Sequence, residues 1–495
     1  MNWYIIWIIL FIIGIMAVGI YYSRKIETAD DYTMANFSLG FFPIAGSIIA
    51  TSMGSAAVIG ASGKGFEIGL SWFLTKLPTL FFSVLLAVLL GATIRKLKLY
   101  TIPDLFVRRF GKAAGLIPAL IISILYMTPT FGMQIVGMGS ILTSIIDLPL
   151  FSSMLIGFII CVVFTLLGGL PSVAWTDAIQ SVLILLGLIL MFVIGLNYVG
   201  GLDVVLQNTP DKIVSFEGLS TSELFNYLII FGPFYLVWQT SWQRISAAKT
   251  EKIAVGAVSV GFILTALIGI FAIGIGIIAR QSISANIHPD LVYTEFLTTV
   301  FPPAIGGFFM VSLFAAVLTG ATSFLLSGAM NISKDIYQSW VSPHANSEQV
   351  LKVSRYSVAG MAIGGLIVAL LITDIIAIYT YALALSAITM VVPVMGAMFW
   401  KRATKMGMLA SVIGSLAVAV IWDLFEQPYG LHMIIPGLIT SFSIFIVVSL
   451  LTKHDQDEQV EAYFFTLKKK NNENVEQRRK RPVSNVESGT NQRKF

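Results

Sequence analysis

The most informative stretch of this chain is GGLPSVAWTDAIQ, which runs from Gly168 to Gln180 and joins two long apolar runs. It places the carboxylate of Asp177 next to sequence that is apolar enough to lie in a membrane. An ionisable group in such surroundings is costly and usually marks an ion or solute path. The structural alternative is that Asp177 caps the following helix, which favours a carboxylate by about 0.3–1 kcal/mol. The two roles are compatible, and the motif alone leaves both open.

The composition around this motif is that of a polytopic membrane protein. The 495 residues are 56% hydrophobic and 12% charged, with a mean hydropathy of +0.85, whereas soluble domains carry about 25% charged residues. Cys161 is the single cysteine and the four histidines are scattered, so we expect no internal disulfide and no transition-metal site. The sequence has no Gly-Lys-Ser/Thr phosphate loop, Gly-x-Ser-x-Gly elbow or His-Glu-x-x-His motif. These absences argue against an enzyme and against an ATP-driven pump, and nothing suggests a nucleic-acid partner.

Thirteen apolar runs are long enough to cross the hydrocarbon core of a bilayer, which takes about 20 helical residues. Their approximate ranges are 3–22, 41–61, 70–94, 113–145, 151–168, 173–199, 224–243, 253–279, 303–333, 353–373, 375–400, 406–423 and 430–452. Arg24 and Lys25 follow the first run instead of preceding it, so we expect an uncleaved anchor with its N-terminus outside.

The distribution of Lys and Arg predicts the orientation of these spans. With an external N-terminus, the outer loops hold Lys64, Lys212 and Arg280, and Lys76 lies within a span. The other 27 of the 31 Lys and Arg, including Arg244, fall on the cytoplasmic side, as the positive-inside rule requires. The basic tail, 453–495, is then cytoplasmic and expected to be disordered, with contact to anionic lipid as an alternative role.

Two of the spans are interrupted by polar and small residues. The second contains Ala50-Thr51-Ser52-Met53-Gly54-Ser55, and the seventh contains Gly232-Pro233 followed by Trp238-Gln239-Thr240-Ser241-Trp242-Gln243. Interruptions at matching places in two halves indicate a midplane binding site in an inverted-repeat transporter. Close helix packing is the alternative explanation for the small residues, but it does not explain the polar and aromatic cluster at 238–243.

Hydroxyl groups share one face of the ninth span. Thr319, Thr322 and Ser323 stand at positions i, i+3 and i+4 and therefore point the same way from a helix. Hydroxyl oxygens suit a hard cation such as Na⁺. Ser and Thr in apolar helices also bond back to the carbonyl four residues earlier, and spacing alone leaves both interpretations open.

The order and spacing of these motifs over about residues 41 to 400 resemble the sodium/solute symporter family, whose members carry sugars, proline, pantothenate, choline or sialic acid. The resemblance is carried by Gly168–Gln180, by Trp242–Lys249 and by Ala315–Tyr337, which ends in Asp-Ile-Tyr. It implies an all-α polytopic membrane fold with a five-plus-five inverted-repeat, LeuT-like core whose first helices are broken. It also implies Na⁺ as the coupling ion and a small solute as the second partner.

The resemblance further implies two ion sites. Matched by position, the coupling sodium is held by Ala50, Met53, Ala316, Thr319 and Gly320. The family usually has Ser or Thr at position 320, so glycine removes one oxygen there. A second sodium site or exit path, described for the sialic acid branch, matches Asp177, Thr322 and Ser323 together with Thr319.

Lys76 is the candidate for solute recognition. A lysine at mid-span costs at least about 2.5–3.5 kcal/mol, so it should face a cavity, with Thr79 one turn further on the same face. The matching position in sugar-carrying relatives is acidic, so the basic residue favours a carboxylate over a sugar. Snorkelling of Lys76 to the outer interface is the alternative. The remaining candidates for the pocket are Ala57, Trp238 and Gln239.

Two tyrosines of the later half, Tyr379 and Tyr381, either line the pathway or anchor the helix at the membrane interface. Taken together, the sequence predicts a sodium-coupled symporter of the plasma membrane that functions as a monomer and imports a small solute, with a carboxylate, by alternating access. The alternatives are a proton-coupled symporter or uniporter, suggested by Gly320 and Asp177, and a membrane sensor that does not transport. The expected organisation is an anchor helix and loop at 1–40, a transporter core at 41–400, two peripheral helices at 401–452 and the tail.

Overall fold

The computed structural model describes residues 3–24, 26–146 and 148–453, and these are almost entirely helical. The helices are α1 (Trp3–Ser23), α2 (Ala29–Met34), α3 (Phe41–Ser52), α4 (Ala61–Ile68), α5 (Lys76–Leu85), α6 (Gly91–Leu97), α7 (Ile102–Phe110), α8 (Leu116–Ile121), α9 (Thr128–Ile146), α10 (Leu150–Tyr198), α11 (Leu202–Asn208), α12 (Asp211–Val214), α13 (Thr221–Ile230), α14 (Gln239–Ala247), α15 (Glu251–Ala279), α16 (Val292–Val300), α17 (Pro303–Met330), α18 (Ser347–Leu371), α19 (Ile375–Phe399), α20 (Lys405–Leu424) and α21 (Ile434–Leu451). Within these ranges β structure is limited to one bridge, between Leu39 and Ala248. The all-α prediction is confirmed. The predicted basic tail, apart from Lys453, lies outside the described residues.

The predicted spans correspond to helices along the chain. In the described ranges, ten helical segments are long and apolar enough to cross a bilayer, and Phe41–Ser52 and Leu150–Leu166 are shorter apolar helices. The remaining predicted span, 224–243, is formed by α13 and α14 on either side of a break. The helices thus follow the thirteen predicted runs. Most ends differ by a few residues, but Ala56–Leu97 begins 14 residues before the predicted run 70–94, and Pro303–Val341 ends eight residues after the predicted run 303–333.

The Gly168–Gln180 stretch turns the chain sharply between two spans. Gly169 has φ +67° and divides α10 into two parts. A side chain there would come within 2.5 Å of the Tyr32 ring, so the turn requires glycine. Pro171 falls in the first turn of the second part, where a missing N–H is tolerated. Asp177 is therefore about two turns inside a helix, so it does not occupy the capping position that was its structural alternative.

Both predicted breaks are present. α3 ends at Ser52, and Met53 and Gly54 lie outside regular helix before a π turn at Ala56–Gly60. In the seventh span, Pro233–Val237 forms a 3₁₀ turn, and Trp238 is extended (ψ 101°) before α14 begins. Proline has no N–H to continue a helix, which accounts for the second interruption. The two broken spans are five spans apart, as in an inverted repeat.

The core is built around α17. This helix packs against α1, α3, α9, α10 and α18, and every residue from Phe309 to Met330 is buried. A helix that is apolar on all sides is stable only when protein or lipid surrounds it. Here the surroundings are protein, so the hydroxyl groups of α17 face neighbouring helices.

The helices at the two ends of the chain lie beside this core. α1 packs against α10 and α17, while α20 and α21 pack against each other and against α19. α19 in turn packs against the 3₁₀ turn of the seventh span. The later helices therefore support the second break from outside.

Candidate ion and solute sites

The first break lies directly against Thr319 of α17. The Thr319 hydroxyl donates to the carbonyl oxygen of Ala50 at 2.9 Å and to that of Ala316 at 2.9 Å. These three residues and Met53 are fully buried. The structure thus brings predicted ion ligands from α3 and α17 together. Carbonyl and hydroxyl oxygens are groups that replace the hydration shell of a small cation, and unwound backbone supplies them at such sites.

A second polar cluster lies one turn further along α17, and it contains a guanidinium group. Nη2 of Arg244 donates to the hydroxyls of Ser323 at 2.6 Å and Thr51 at 3.1 Å. Nε of Arg244 donates to the Ser47 hydroxyl at 2.8 Å, and Ser47 donates to Oδ2 of Asp177 at 2.6 Å. Nη2 of Arg244 is 3.5 Å from the same Asp177 oxygen, and both charged side chains are 1% exposed. The two charges neutralise each other in a site closed to water.

The three predicted members of this second site have different partners. Asp177 and Ser323 both contact Arg244, whereas the Thr322 hydroxyl bonds back to the Thr319 carbonyl at 3.1 Å. Oδ1 of Asp177 is buried and accepts no hydrogen bond from the described residues. A cation entering here must share Asp177 with the guanidinium.

A small cavity lies on the other side of the first break. It measures about 40 Å³ and contains the predicted solute residues Ala57, Lys76 and Thr79 in its wall. The other lining residues include Ser52, Met53, Trp72, Phe231, Tyr235, Phe262 and Tyr379. Pockets for organic ligands measure about 300–1,000 Å³, so this cavity must expand to admit a solute.

Lys76 enters this cavity from the first turn of α5. Its side chain passes Gly269 of α15, where a Cβ would lie 3.6 Å from the Lys76 Cε. Among the described residues, no carboxylate lies within 4.0 Å of its ammonium group. This placement favours the cavity interpretation of Lys76 over snorkelling.

Trp238 and Gln239 are not among the residues that line the cavity. The Gln239 amide accepts from the Ile102 N–H at 2.9 Å and donates to Oδ1 of Asn331 at 3.1 Å, so both of its ends are bonded to protein. The Trp238 ring packs against Tyr235 at 5.6 Å between centroids. The prediction placed both residues in the wall, but the chain is extended at Trp238 and restarts as a helix at Gln239, which turns the amide toward α7.

The two candidate tyrosines also have different positions. The Tyr379 hydroxyl is 2.8 Å from the Tyr235 hydroxyl and closes one side of the cavity. Tyr381 is 39% exposed and donates to Oδ1 of Asp423 at 3.1 Å, in a separate polar pocket of about 300 Å³. Tyr379 therefore faces the cavity and Tyr381 does not.

Comparison with known proteins identifies the family. Residues 32–414 match the sequence model of the Sodium:solute symporter family. The chain belongs to this family. It is therefore a multi-pass membrane transporter and not an enzyme, and Na⁺ is the coupling ion of its transport.

Individual relatives agree with this assignment. The chain is 27% identical to the osmoregulated proline transporter OpuE of Bacillus subtilis (strain 168) over 473 residues, which cover 90% of this chain and 94% of the relative. It is 27% identical to the sodium/proline symporter of Escherichia coli (strain K12), covering 90% and 92%. The solved structure of a Na⁺-coupled sialic acid symporter, in a substrate-bound outward-open state, superposes with a TM-score of 0.78 at 20% identity, covering 92% and 99%. The predicted LeuT-like fold is thereby confirmed.

Sequence reasoning about this symporter missed the position of Arg244. Its place at the end of a span assigned it to the cytoplasmic charges, whereas the structure buries it against Asp177. One signal was available in the sequence. A carboxylate buried at membrane depth requires a nearby cation, and Arg244 is the basic residue of the polar cluster in the second broken span.

Proposed function

We propose that this symporter uses Na⁺ to import a small solute that carries a carboxylate, by alternating access to the cavity beside the first break. The observation that supports this most strongly is Lys76, which enters the cavity without a carboxylate partner among the described residues. An ammonium group in a low-dielectric wall favours an anionic group of the solute, and such complementarity mainly determines which solutes are accepted.

The relatives support the same class of solute. Two of them are named as proline transporters, and proline is a small molecule with a carboxylate. The cavity wall supplies apolar and aromatic surface from Trp72, Phe231 and Phe262 for the rest of such a molecule. We therefore propose a solute of amino-acid size.

For the ion, we propose that Na⁺ binds between the first break and α17. Its site comprises Ala50, Met53, Ala316, Thr319 and the backbone at Gly320. Asp177, Thr322 and Ser323 then form the path by which the ion leaves. Because Arg244 already neutralises Asp177, we propose one sodium for each solute molecule. One sodium moving down a tenfold gradient provides about 1.4 kcal/mol, and 100 mV adds about 2.3 kcal/mol for each net charge moved.

The charge distribution supports the orientation that we propose, with the N-terminus outside and the C-terminus in the cytoplasm of a plasma-membrane protein. Arg244 is buried and is therefore left out of the cytoplasmic count of Lys and Arg. The cytoplasmic segments still hold far more of these residues than the outer loops, which hold three. We further propose that residues 41–400 form the transport core, that 1–40 and 401–452 lie outside it, and that one copy of the chain suffices for transport.

Uptake into proteoliposomes tests this proposal. Purified protein is reconstituted with an inward sodium gradient, and uptake of labelled proline is measured with unlabelled competitors. Small carboxylates should compete, while the methyl esters and amides of the same molecules and glucose should not. Competition by glucose, or equal competition by an acid and its ester, would contradict a carboxylate-binding cavity.

A further inference from the structure

The side chain of Gln134 lies at the candidate sodium site, although it belongs to α9. It is fully buried, and its Oε1 accepts a hydrogen bond from the Ser55 N–H at 2.9 Å, just beyond the first break. α9 is held closely against this break, because a Cβ on Gly137 would lie 2.6 Å from the Ser55 side chain. The Ser55 hydroxyl also donates to the carbonyl of Met133 at 3.2 Å. The position of the Gln134 amide is therefore fixed by its neighbours.

Two glycines provide the space that this amide occupies. A Cβ on Gly54 would lie 2.8 Å from Nε2 and 3.1 Å from Oε1 of Gln134. A Cβ on Gly320 would lie 2.8 Å from Nε2 and 3.1 Å from Oε1 as well. The amide thus lies between the residue after Met53 and the residue after Thr319. Any hydroxyl-bearing side chain at position 320 would occupy the volume that the Gln134 amide fills.

The hydrogen bonds of this amide are incomplete. Nε2 of Gln134 is buried without a hydrogen-bond partner among the described residues. A buried donor without a partner is costly, and its missing partner must be an acceptor such as water or a solute oxygen, not a cation. Only Oε1 of this amide can contact a cation. The Ser55 N–H fixes which end is the oxygen, because an NH₂ group there would face another donor. A carbonyl oxygen has two lone pairs, so Oε1 can accept from Ser55 and still bind a cation.

We propose that Oε1 of Gln134 is a ligand of the coupling sodium and provides the side-chain oxygen that position 320 lacks. This inference rests on the proposed placement of Na⁺ between Ala50 and Thr319. It adds α9 as a third element of the ion site, next to α17 and the first break. It also gives Gly54 and Gly320 a shared role, since both must lack a side chain for the amide to enter.

The test is sodium-dependent thermal stabilisation of the purified protein in lipid nanodiscs, with choline chloride replacing sodium chloride at constant ionic strength. Gln134→Met keeps the length of the side chain but removes the oxygen, so the sodium concentration for half-maximal stabilisation should rise at least tenfold. Gln134→Glu keeps one oxygen toward Ser55 and replaces the NH₂ group by a second oxygen. The sodium concentration for half-maximal stabilisation should therefore stay within threefold of the wild-type value or become lower. Gln281→Met, in the turn after α15, is the matched control, because its amide bonds to Thr209 at 2.8 Å.

A double variant keeps the test decisive if the buried glutamate prevents folding. Gly320→Ser alone should weaken sodium binding because it collides with the amide, whereas Gly320→Ser with Gln134→Ala should recover most of the wild-type response. Half-saturation unchanged in Gln134→Met, or no recovery in the double variant, would overturn the inference. Loss of solute binding with unchanged sodium half-saturation in Gln134→Glu would also overturn it, since the NH₂ group would then be the functional one. A wild-type protein that does not respond to sodium would instead contradict the proposed function.

Discussion

The two polar clusters on α17 differ in charge: one consists of neutral oxygens, and the other contains a buried guanidinium group. Around Thr319 the groups are neutral oxygens from Ala50 and Ala316, with the amide of Gln134 nearby. One turn further on, Ser323 contacts a guanidinium that is part of the chain and is paired with Asp177. Both clusters are closed to water. We expect an exchangeable cation at the first cluster, because the described residues place no charged side chain there. The second cluster already contains the guanidinium of Arg244.

This contrast shows that a buried carboxylate is an ambiguous sign of an ion site. Asp177 has the charge that a cation prefers, yet Arg244 already balances it. The neutral cluster holds no carboxylate, and so a bound Na⁺ would bring its charge into it and take part in the voltage dependence of transport. The charged cluster joins α3, α10, α14 and α17 and also lines the proposed exit path of the ion.

The largest effect should follow from breaking the charged cluster. Asp177→Ala leaves Arg244 buried without a counter-charge, and breaking such a pair costs about 3–5 kcal/mol. We expect a large fall in the thermal unfolding temperature and little uptake. The double variant Asp177→Asn with Arg244→Gln should be more stable than Asp177→Ala. A single Asp177→Ala protein as stable as wild type would show that the pair is not structural.

The neutral cluster should respond chiefly in sodium binding, with a smaller loss of stability of about 1–3 kcal/mol, because the Ala50 carbonyl loses its hydrogen-bond donor. Thr319→Val has nearly the same shape but no hydroxyl, so the sodium concentration for half-maximal uptake should rise about tenfold or more. Thr319→Ser keeps the oxygen and serves as the control, with half-saturation within about threefold of wild type. Equal sodium dependence in the two variants would remove Thr319 from the ion site.

Lys76 separates solute recognition from ion binding. Lys76→Met removes the ammonium group but keeps the apolar stem, and we expect the KM for the solute to rise ten- to a hundredfold because the carboxylate loses its counter-charge. Sodium half-saturation should change less than threefold, and Lys76→Arg should retain part of the affinity. Unchanged solute KM in Lys76→Met would return Lys76 to the role of an interfacial lysine.

A smaller effect is expected at the aromatic side of the cavity. Tyr379→Phe removes the hydroxyl that lies 2.8 Å from the Tyr235 hydroxyl. One neutral hydrogen bond contributes about 0.5–1.5 kcal/mol, so the solute KM should change by about two- to tenfold. Tyr381→Phe is the control, because Tyr381 does not line the cavity, and it should leave the solute KM unchanged. A larger effect at Tyr381 would reverse the assignment of the two tyrosines.

The smallest effect on transport is expected for Asp290, a buried carboxylate outside both clusters. Its titration should change the stability of the fold. Asp290 lies in the loop before α16 and accepts from the Ile375 N–H at 3.2 Å, and burial raises its pKa to about 6. A raised carboxyl pKa means that the folded state binds the proton more tightly. The free energy of unfolding from this group therefore falls as pH rises from about 4 to about 6, by at most about 1.4 kcal/mol for each pH unit. Asp290→Asn should remove that decline in a pH series of unfolding temperatures, and an unchanged series would contradict the shift.

The sequence was sufficient for much of the fold because membrane depth leaves few choices. Apolar runs of fixed length predicted the helices, and the residues at 50–55 and 232–243 predicted both breaks, since proline, glycine and clustered polar groups interrupt a helix. Spacing along one helix also placed Thr319, Thr322 and Ser323 on the same side.

The features of the site that the sequence did not predict depend on contacts between helices that are far apart along the chain. Arg244 and Gln134 lie 67 and 186 residues, counted along the chain, from Asp177 and Gly320 respectively, and no local pattern links them. The extended backbone at Trp238 directs the Gln239 amide toward α7, and residue type alone does not predict this direction. Residue type alone shows that glycine at 320 lacks a side-chain oxygen, and only the structure shows that the Gln134 amide lies beside this position.

The most direct test of the difference between the clusters is the number of sodium ions carried with each solute molecule. This ratio is obtained from parallel fluxes of labelled Na⁺ and labelled solute in the same proteoliposomes, using the carboxylate that the competition series identifies. With Arg244 in the charged cluster and a single proposed sodium site at Thr319, we expect a ratio of one. A ratio of two would place a second ion beside Asp177 and contradict the single sodium site at Thr319.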